Sequence, residues 1–216
     1  MNMMEHKINA KFGEINNLGD ARYAAGMGAA FMGFNLSPSN PKHVDPDKMK
    51  EISGWAPGPK LVTEWENEPA DLIADTCKKL DIDYVQLNNF NPAVTEALKK
   101  GFCVIQNINI DPDELPGRMI QQVNEVNGLA MYYMLSFKSL AGQEKFLSKP
   151  GNELLITDFC RDQPVLLNFH FTPSNIAPLI EKFKPFGINL KGPSEIKPGL
   201  QDYSDINELL DLVHKA

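Results

Sequence analysis

A closed (β/α)₈ barrel is the fold class this sequence predicts, and three observations predict it. Short β-type runs alternate with amphipathic helical runs from one end of the 216 residues to the other, the pattern of parallel βα units. Eight such repeats can be counted, which suits a closed barrel better than an open sheet. No linker or shift in composition divides them, so residues 1–216 read as a single domain. A doubly wound sheet is the alternative, but no G-x-G-x-x-G or G-x-x-x-x-G-K-[ST] follows any strand to support it.

The first unit is a strand near 6–13 whose end runs into "KFGEINNLGDAR", a polar turn and a helix near 17–27, with Asp20 and Arg22 near the helix start. A strand near 29–35 then feeds a helix at 46–54 that opens on Pro46, and a strand near 60–66 feeds a helix at 69–80 that opens on Pro69. Strands near 83–88 and 102–108 precede helices at 92–100 and 111–126. A strand near 129–135 is followed by a helix at 152–161. The last two units pair strands near 164–170 and 186–191 with helices at 173–183 and 203–215.

Composition excludes several function classes. The formal net charge is −7, and Lys and Arg form no stripe of the kind a phosphate backbone requires, so no nucleic-acid partner is expected. No apolar run approaches the roughly 20 residues that span a bilayer. Met1 to Lys7 lack the basic-then-apolar pattern of a signal peptide, so a cytoplasmic protein with no membrane partner is expected. Cys77, Cys103 and Cys160 are odd in number, far apart and without a C-x-x-C, which argues for reduced thiols. No His, Cys, Asp and Glu set has metal-ligand spacing, and neither a metal nor a cofactor is expected.

Barrel active sites are built at the C-terminal ends of the strands. Here those ends carry Gly13 and Glu14, Phe34 and Asn35, Glu64 and Glu66, Gln86 and Asn88, Gln106 to Asn109, Met134 and Leu135, Asn168 to His170, and Lys191 to Ser194. The set is rich in amides.

The segment "FGEINNLGDARYAAGMGAAFMGFNLSPSNPKHVDP" resembles the opening of the phosphoribosylanthranilate isomerase family, barrel enzymes of tryptophan biosynthesis whose first unit reads approximately KICGITNLEDA, followed by GADALGF and SPRYVSP. "ENEPADLIADTCKKLDIDYVQLNN" is similar to the family's VNEP and DAVQLHG segments. "PVLLNFHFTPSNIAPLI" and "FGINLKGPSEIKPGLQD" are similar to PVILAGGLNPENV and YGVDVSSGVESAPGVKD. The resemblance covers all but roughly 103–162, and it implies a (β/α)₈ fold.

It also implies an Amadori rearrangement, in which a general acid protonates the sugar ring oxygen and a general base removes the C2 proton. The family's base is the Cys of KICG, which falls on Gly13, with the following Gly on Glu14. The family's acid, an Asp ending strand six, falls at or beside Met134. Each such group is typically worth about 10²–10⁴ in rate, so both losses count against the standard reaction.

The resemblance implies a phosphate held by glycine-rich turns after strands seven and eight. Phe169 and His170 replace a Gly-Gly pair at the first turn, and Lys191, Gly192 and Pro193 replace Ser-Ser-Gly at the second. "SFKSLAGQEKF" stands where the family has a glycine-rich segment after strand six. Lys42 replaces the Arg of SPRYV and Asn88 the His of QLHG. Asn17, Asp20, Ala21, Arg22, Asn67, Glu68, Pro69, Gln86, Leu87 and Glu195 match the family, chiefly as caps and packing residues.

The candidate catalytic groups are Glu14, Glu64 and His170; the candidate ligand-binding groups are Lys11, Lys42, Gln86, Asn88, Asn168 and Lys191. Glu64 shares a strand face with Val62 and reads either as a proton carrier or as an ion-pair partner of Lys11 or Lys191. His170 stands at the catalytic face, whereas His6, His43 and His214 read as start, loop and tail residues. Lys191 and Lys42 together suit a small anionic metabolite at the C-terminal barrel face. Phe169, Phe171 and Tyr133 form either a stacking platform or a plug.

Three functions stay open: a small-molecule binding or regulatory protein, an enzyme of changed chemistry using Glu64, His170 or Lys191, and a surviving isomerase with substitute acid and base groups.

Overall fold

Residues 8–114, 116–192, 195–197 and 200–213 are described by a computed structural model, and His6, His214, Pro193 and Ser194 lie outside them. In chain order the elements begin with β1 (Asn9–Gly13), α1 (Leu18–Gly26), β2 (Phe31–Asn35), α2 (Pro46–Gly54), β3 (Lys60–Trp65) and α3 (Ala70–Leu80). They continue through β4 (Tyr84–Leu87), α4 (Pro92–Leu98), β5 (Cys103–Ile110), α5 (Pro116–Val126), β6 (Tyr132–Phe137), α6 (Leu140–Leu147) and α7 (Asn152–Asp162). The last are β7 (Val165–Asn168), α8 (Ile176–Phe183), β8 (Gly187–Lys191), the strand pair β9 (Glu195–Lys197) and β10 (Leu200–Gln201), and α9 (Ser204–Val213).

β1 to β8 pair in sequence order, all parallel, and β8 returns to β1 with Asn9 opposite Gly187, Lys11 opposite Asn189 and Gly13 opposite Lys191. The barrel is closed. Each strand is covered on both faces, so apolar side chains point both inward and outward, as parallel strands under helices require. Phe31, Val62, Ile105, Met134 and Leu166 fill the lower barrel interior, and Lys60 lies over the Phe31 and Tyr84 rings. The outward-facing residues of the strands pack under the helices with Ala21, Ile73, Phe146, Ile176 and Leu210.

Local rules explain most element boundaries. Asn17 caps α1, accepting from the Asp20 N–H at 2.9 Å while its own amide donates to the Asp20 carboxylate at 2.8 Å. Asn91 caps α4 by accepting from the Val94 N–H at 3.2 Å.

Several boundaries differ from the sequence expectation. α5 opens at Pro116 rather than 111, because proline suits a first helical turn and not a helix interior. β6 starts at Tyr132 rather than 129, since Leu129 and Ala130 donate their N–H groups back to Val126 and close α5. β7 stops at Asn168, which leaves Phe169 and His170 in the turn. α6 was not anticipated in "SFKSLAGQEKF"; Ser139 caps it by accepting from the Gly142 N–H at 3.1 Å. The β9–β10 pair was not anticipated either.

Candidate functional site at the barrel mouth

A cavity of about 550 Å³ opens at the C-terminal ends of the strands, within the range of small-molecule sites. Beneath it lies an ion pair: Glu64 lines the cavity, whereas Lys11, expected among the ligand-binding groups, is fully buried and does not reach it. Lys11 comes from β1 and Glu64 from β3, and they meet across β2 because the residue facing them there is Gly33. Lys11 is 0% and Glu64 1% exposed, so the pair is fully desolvated. Such a pair survives burial only when its remaining valences are met. Lys11 also donates to Asn189 Oδ1 at 3.1 Å, and Glu64 Oε2 accepts from the Glu14 N–H at 3.1 Å. Of the two partners anticipated for Glu64, the structure selects Lys11.

Lys11 can only donate, and this sets the direction of a chain of hydrogen bonds around half the barrel. Asn189 turns its oxygen to Lys11 and donates from Nδ2 to Asn168 Oδ1 at 3.0 Å. Asn168 donates to Ser136 Oγ at 2.9 Å, and Ser136 to Asn107 Oδ1 at 2.6 Å. Asn107 ends the chain on the Asn88 carbonyl at 3.1 Å.

A second chain runs the opposite way, toward a carboxylate. Gln86 Nε2 donates to Asn88 Oδ1 at 2.6 Å, and Asn88 Nδ2 donates to Glu66 Oε1 at 2.8 Å. Gln86, Asn88 and Asn168 thus stand in the mouth as expected. Asn40, Ser136, Gln143 and Asn189 were not singled out. Ser136 and Asn189 were legible by period-2 alternation, each sharing a strand face with a residue that was named, Met134 or Lys191.

Glu14 lies at the rim with φ +56°, in the left-handed region that favours glycine. Its carboxylate meets Lys191 at 3.1 Å, bridging the ends of β1 and β8. Lys191 is therefore partnered. Lys42 is exposed and does not line the cavity, so the expected convergence of Lys42 and Lys191 on one anion is not formed. The turn that carries Lys42 folds on itself instead, with the Lys42 N–H on Asn40 Oδ1 at 2.8 Å.

His170 lines the cavity, and its Nε2 lies 3.1 Å from the Phe137 carbonyl; among the described residues no hydrogen bond joins it to a carboxylate. The backbone N–H groups of this turn are spent internally. His170 N–H donates to Gln143 Oε1 at 2.7 Å, Phe171 N–H to the Phe169 carbonyl at 3.0 Å, and Thr172 N–H to Asn175 Oδ1 at 2.8 Å.

Phe169 and Phe171 stack with centroids 6.2 Å apart, and Phe137 meets Phe169 edge-on at 5.0 Å. Tyr133 is not part of this group: it faces outward, packs on Phe159 and donates to the Val126 carbonyl. Strand alternation gives its inward place to Met134.

Among the described residues no cluster of His, Cys, Asp and Glu is arranged to hold a metal ion, and no helix is long and apolar enough to cross a membrane. The three cysteines are free thiols, Cys77 and Cys160 buried and Cys103 half-buried. Burial pushes the Cys160 thiol up to about 12. Cys77 is raised by burial too, against the opposing hydrogen bond it shares with Thr63.

The same architecture occurs in known proteins. The structure of phosphoribosyl anthranilate isomerase from Thermotoga maritima superposes with a TM-score of 0.79 at 21% identity, over 97% of this chain and 100% of that one. Curated relatives named N-(5'-phosphoribosyl)anthranilate isomerase include one from Geobacter metallireducens, 24% identical over 94% of this chain and 97% of its own length. Another, from Chlorobium phaeovibrioides, is 27% identical over 94% and 95%. The family model described as N-(5'phosphoribosyl)anthranilate (PRA) isomerase matches residues 10–212, nearly the whole barrel, and by that match the chain belongs to the phosphoribosylanthranilate isomerase family.

Proposed function

We propose that this member of the family has given up the standard Amadori rearrangement and keeps its barrel mouth as a small-molecule binding site, in a binding or regulatory role. One observation carries the reading. A Cβ at Gly13, the position of the family's base, would stand 3.1 Å from each of Lys11 Nζ, Glu64 Oε1 and Asn189 Oδ1. The ion pair and its amide partner fill the space a base would use. The place of the family's acid supports the same reading, since Met134 there is 2% exposed and packs into the apolar barrel interior. So does the phosphate turn, whose N–H groups at residues 170–172 are already bonded within the protein.

A second reading has one observation in its favour. Glu14 holds a left-handed backbone conformation beside the missing base and lines the cavity, and a strained residue at a cavity mouth is a place to look for function. In that reading the isomerase survives with Glu14 as base.

A steady-state assay with freshly prepared phosphoribosylanthranilate separates the two, using wild type, Glu14→Gln and His170→Ala beside a family member that keeps Cys and Asp. Turnover at background in all three forms is the expected result. Turnover near the control, lost in either variant, overturns the binding reading and identifies the replacement group.

A further inference from the structure

We propose that the barrel mouth takes a neutral, polyhydroxylated ligand of the sugar or polyol class, with Glu66 as the acceptor that orients one of its hydroxyls. This deepens the binding reading above and rests on its claim that the mouth holds a small molecule.

The argument starts at Glu66. Its Oε1 accepts from three side-chain amides, Asn35 at 3.0 Å, Asn40 at 2.9 Å and Asn88 at 2.8 Å. Three donors on one oxygen hold the carboxylate still. The other oxygen, Oε2, has no donor among the described residues, on a side chain that lines the cavity.

The polarity of the neighbouring amides follows from this anchor. An ionised carboxylate only accepts, so Asn88 must give it the NH₂ group. Asn88 Oδ1 then faces Gln86, and Gln86 must in turn present Nε2, which it does at 2.6 Å. Gln86 Oε1 is left without a donor among the described residues, on a cavity-lining side chain that is 3% exposed. Reversing the Gln86 amide would set two carbonyl oxygens against each other, so rotation cannot cure the deficit. The β3–β4 wall thus offers two acceptors, Glu66 Oε2 and Gln86 Oε1, and both call for O–H or N–H donors from a ligand.

The facing wall carries three rings, Phe137, Phe169 and Phe171, beside Lys138, Asn168 and His170. A sugar or polyol fits such a two-sided cavity, with hydroxyls toward the amides and C–H groups on the rings. A phosphate fits poorly. The two acceptors repel an oxyanion, the N–H groups of residues 170–172 are occupied, Lys191 is paired with Glu14, and the other lining lysine, Lys138, is exposed to solvent.

Calorimetric titration of the whole chain tests this, with D-ribose, ribitol, D-glucose and ribose 5-phosphate as the probes. At least one neutral probe is expected to bind at least tenfold more tightly than ribose 5-phosphate. Glu66→Gln keeps an oxygen for the three amides and puts an NH₂ group in place of Oε2, so it is expected to weaken the neutral probe tenfold or more. Gln86→Met is expected to weaken it severalfold, and it carries the test alone if Glu66→Gln loses its circular dichroism.

The proposal is overturned if ribose 5-phosphate binds as tightly as the neutral probes, if no neutral probe binds, or if the folded variants bind like wild type, which would assign Gln86 Oε1 to water alone. Phosphoribosylanthranilate turnover is a separate readout: turnover together with Glu66-dependent sugar binding would remove the binding-only reading and leave this one standing.

Discussion

The Glu64 carboxylate occupies the space a side chain at Gly33 would need: a Cβ on residue 33 would stand 2.0 Å from Glu64 Oε1 and 2.8 Å from Lys11 Nζ. Glycine on β2 is therefore a condition for the ion pair between β1 and β3. Gly33→Ala is expected to force the pair apart and to cost about 3–5 kcal/mol, the range for a broken buried pair. With roughly 2–4 °C per kcal/mol for a chain of this size, thermal unfolding should show a fall of about 6–20 °C. A melting temperature unchanged within 2 °C would show that the pair can move aside at little cost.

The same pair predicts strong coupling between its members. Lys11→Met and Glu64→Gln each leave the other partner buried without its counter-charge, and each is expected to cost about 3–5 kcal/mol. The double variant should cost clearly less than their sum, because it removes both charges together. Urea unfolding of the four forms gives the coupling energy directly, and additive losses would count against the pair as a unit.

Gly13 predicts the outcome of the obvious repair. Gly13→Cys places a Cβ 3.1 Å from the Lys11 ammonium and from the two oxygens, Glu64 Oε1 and Asn189 Oδ1, that accept from it. It is expected to lower the melting temperature and to leave phosphoribosylanthranilate turnover at background. Measurable turnover from this single change would show that the missing thiol was the sole obstacle.

Glu14 predicts an inversion of the usual ranking of glycine and alanine. A non-glycine residue in the left-handed region costs roughly 1–2 kcal/mol. At φ +56°, Glu14→Gly should therefore be about 1 kcal/mol more stable than Glu14→Ala, both having lost the half-exposed contact with Lys191. Chemical denaturation of the two variants side by side measures the difference, and alanine ranking above glycine would show that the backbone carries no strain there.

Cys160 predicts a loss of stability in alkali. Its thiol is pushed up to about 12 by burial, while the unfolded chain releases the same proton near the ordinary cysteine value. The folded state then binds more protons than the unfolded state, so stability is full below about pH 8.5 and falls as pH rises toward 12, by up to about 1.4 kcal/mol per pH unit. Cys160→Ala should flatten this slope in unfolding curves taken between pH 8 and 10.5, at some cost in packing. An unchanged slope would assign the alkaline loss to other groups.

The barrel itself was legible in the sequence because the alternation of β-type and helical runs is local, and eight units in a row leave one economical closed solution. Capping chemistry was legible for the same reason: Asn17 and Pro46 act on backbone a few residues away. The α6 helix was not, because "SLAGQEKFL" carries only a weak apolar stripe and gains its stability from burying Gln143 and Phe146 against the rest of the protein.

At the mouth, strand-end position alone brought Glu64, Gln86, Asn88, Asn168 and His170 to the right face. Pairing was decided in three dimensions. Lys11 and Glu64 meet because the barrel's stagger sets β1 and β3 on either side of a glycine, and Lys191 turns to Glu14 because Gly13 and Lys191 are register partners. The direction of the amide chains depends on which ends are Lys11 and Glu66, and no local pattern contains that information. Residue types and strand alternation determine what chemistry reaches the mouth; closure of the sheet decides which groups neutralise one another and which are left for a ligand.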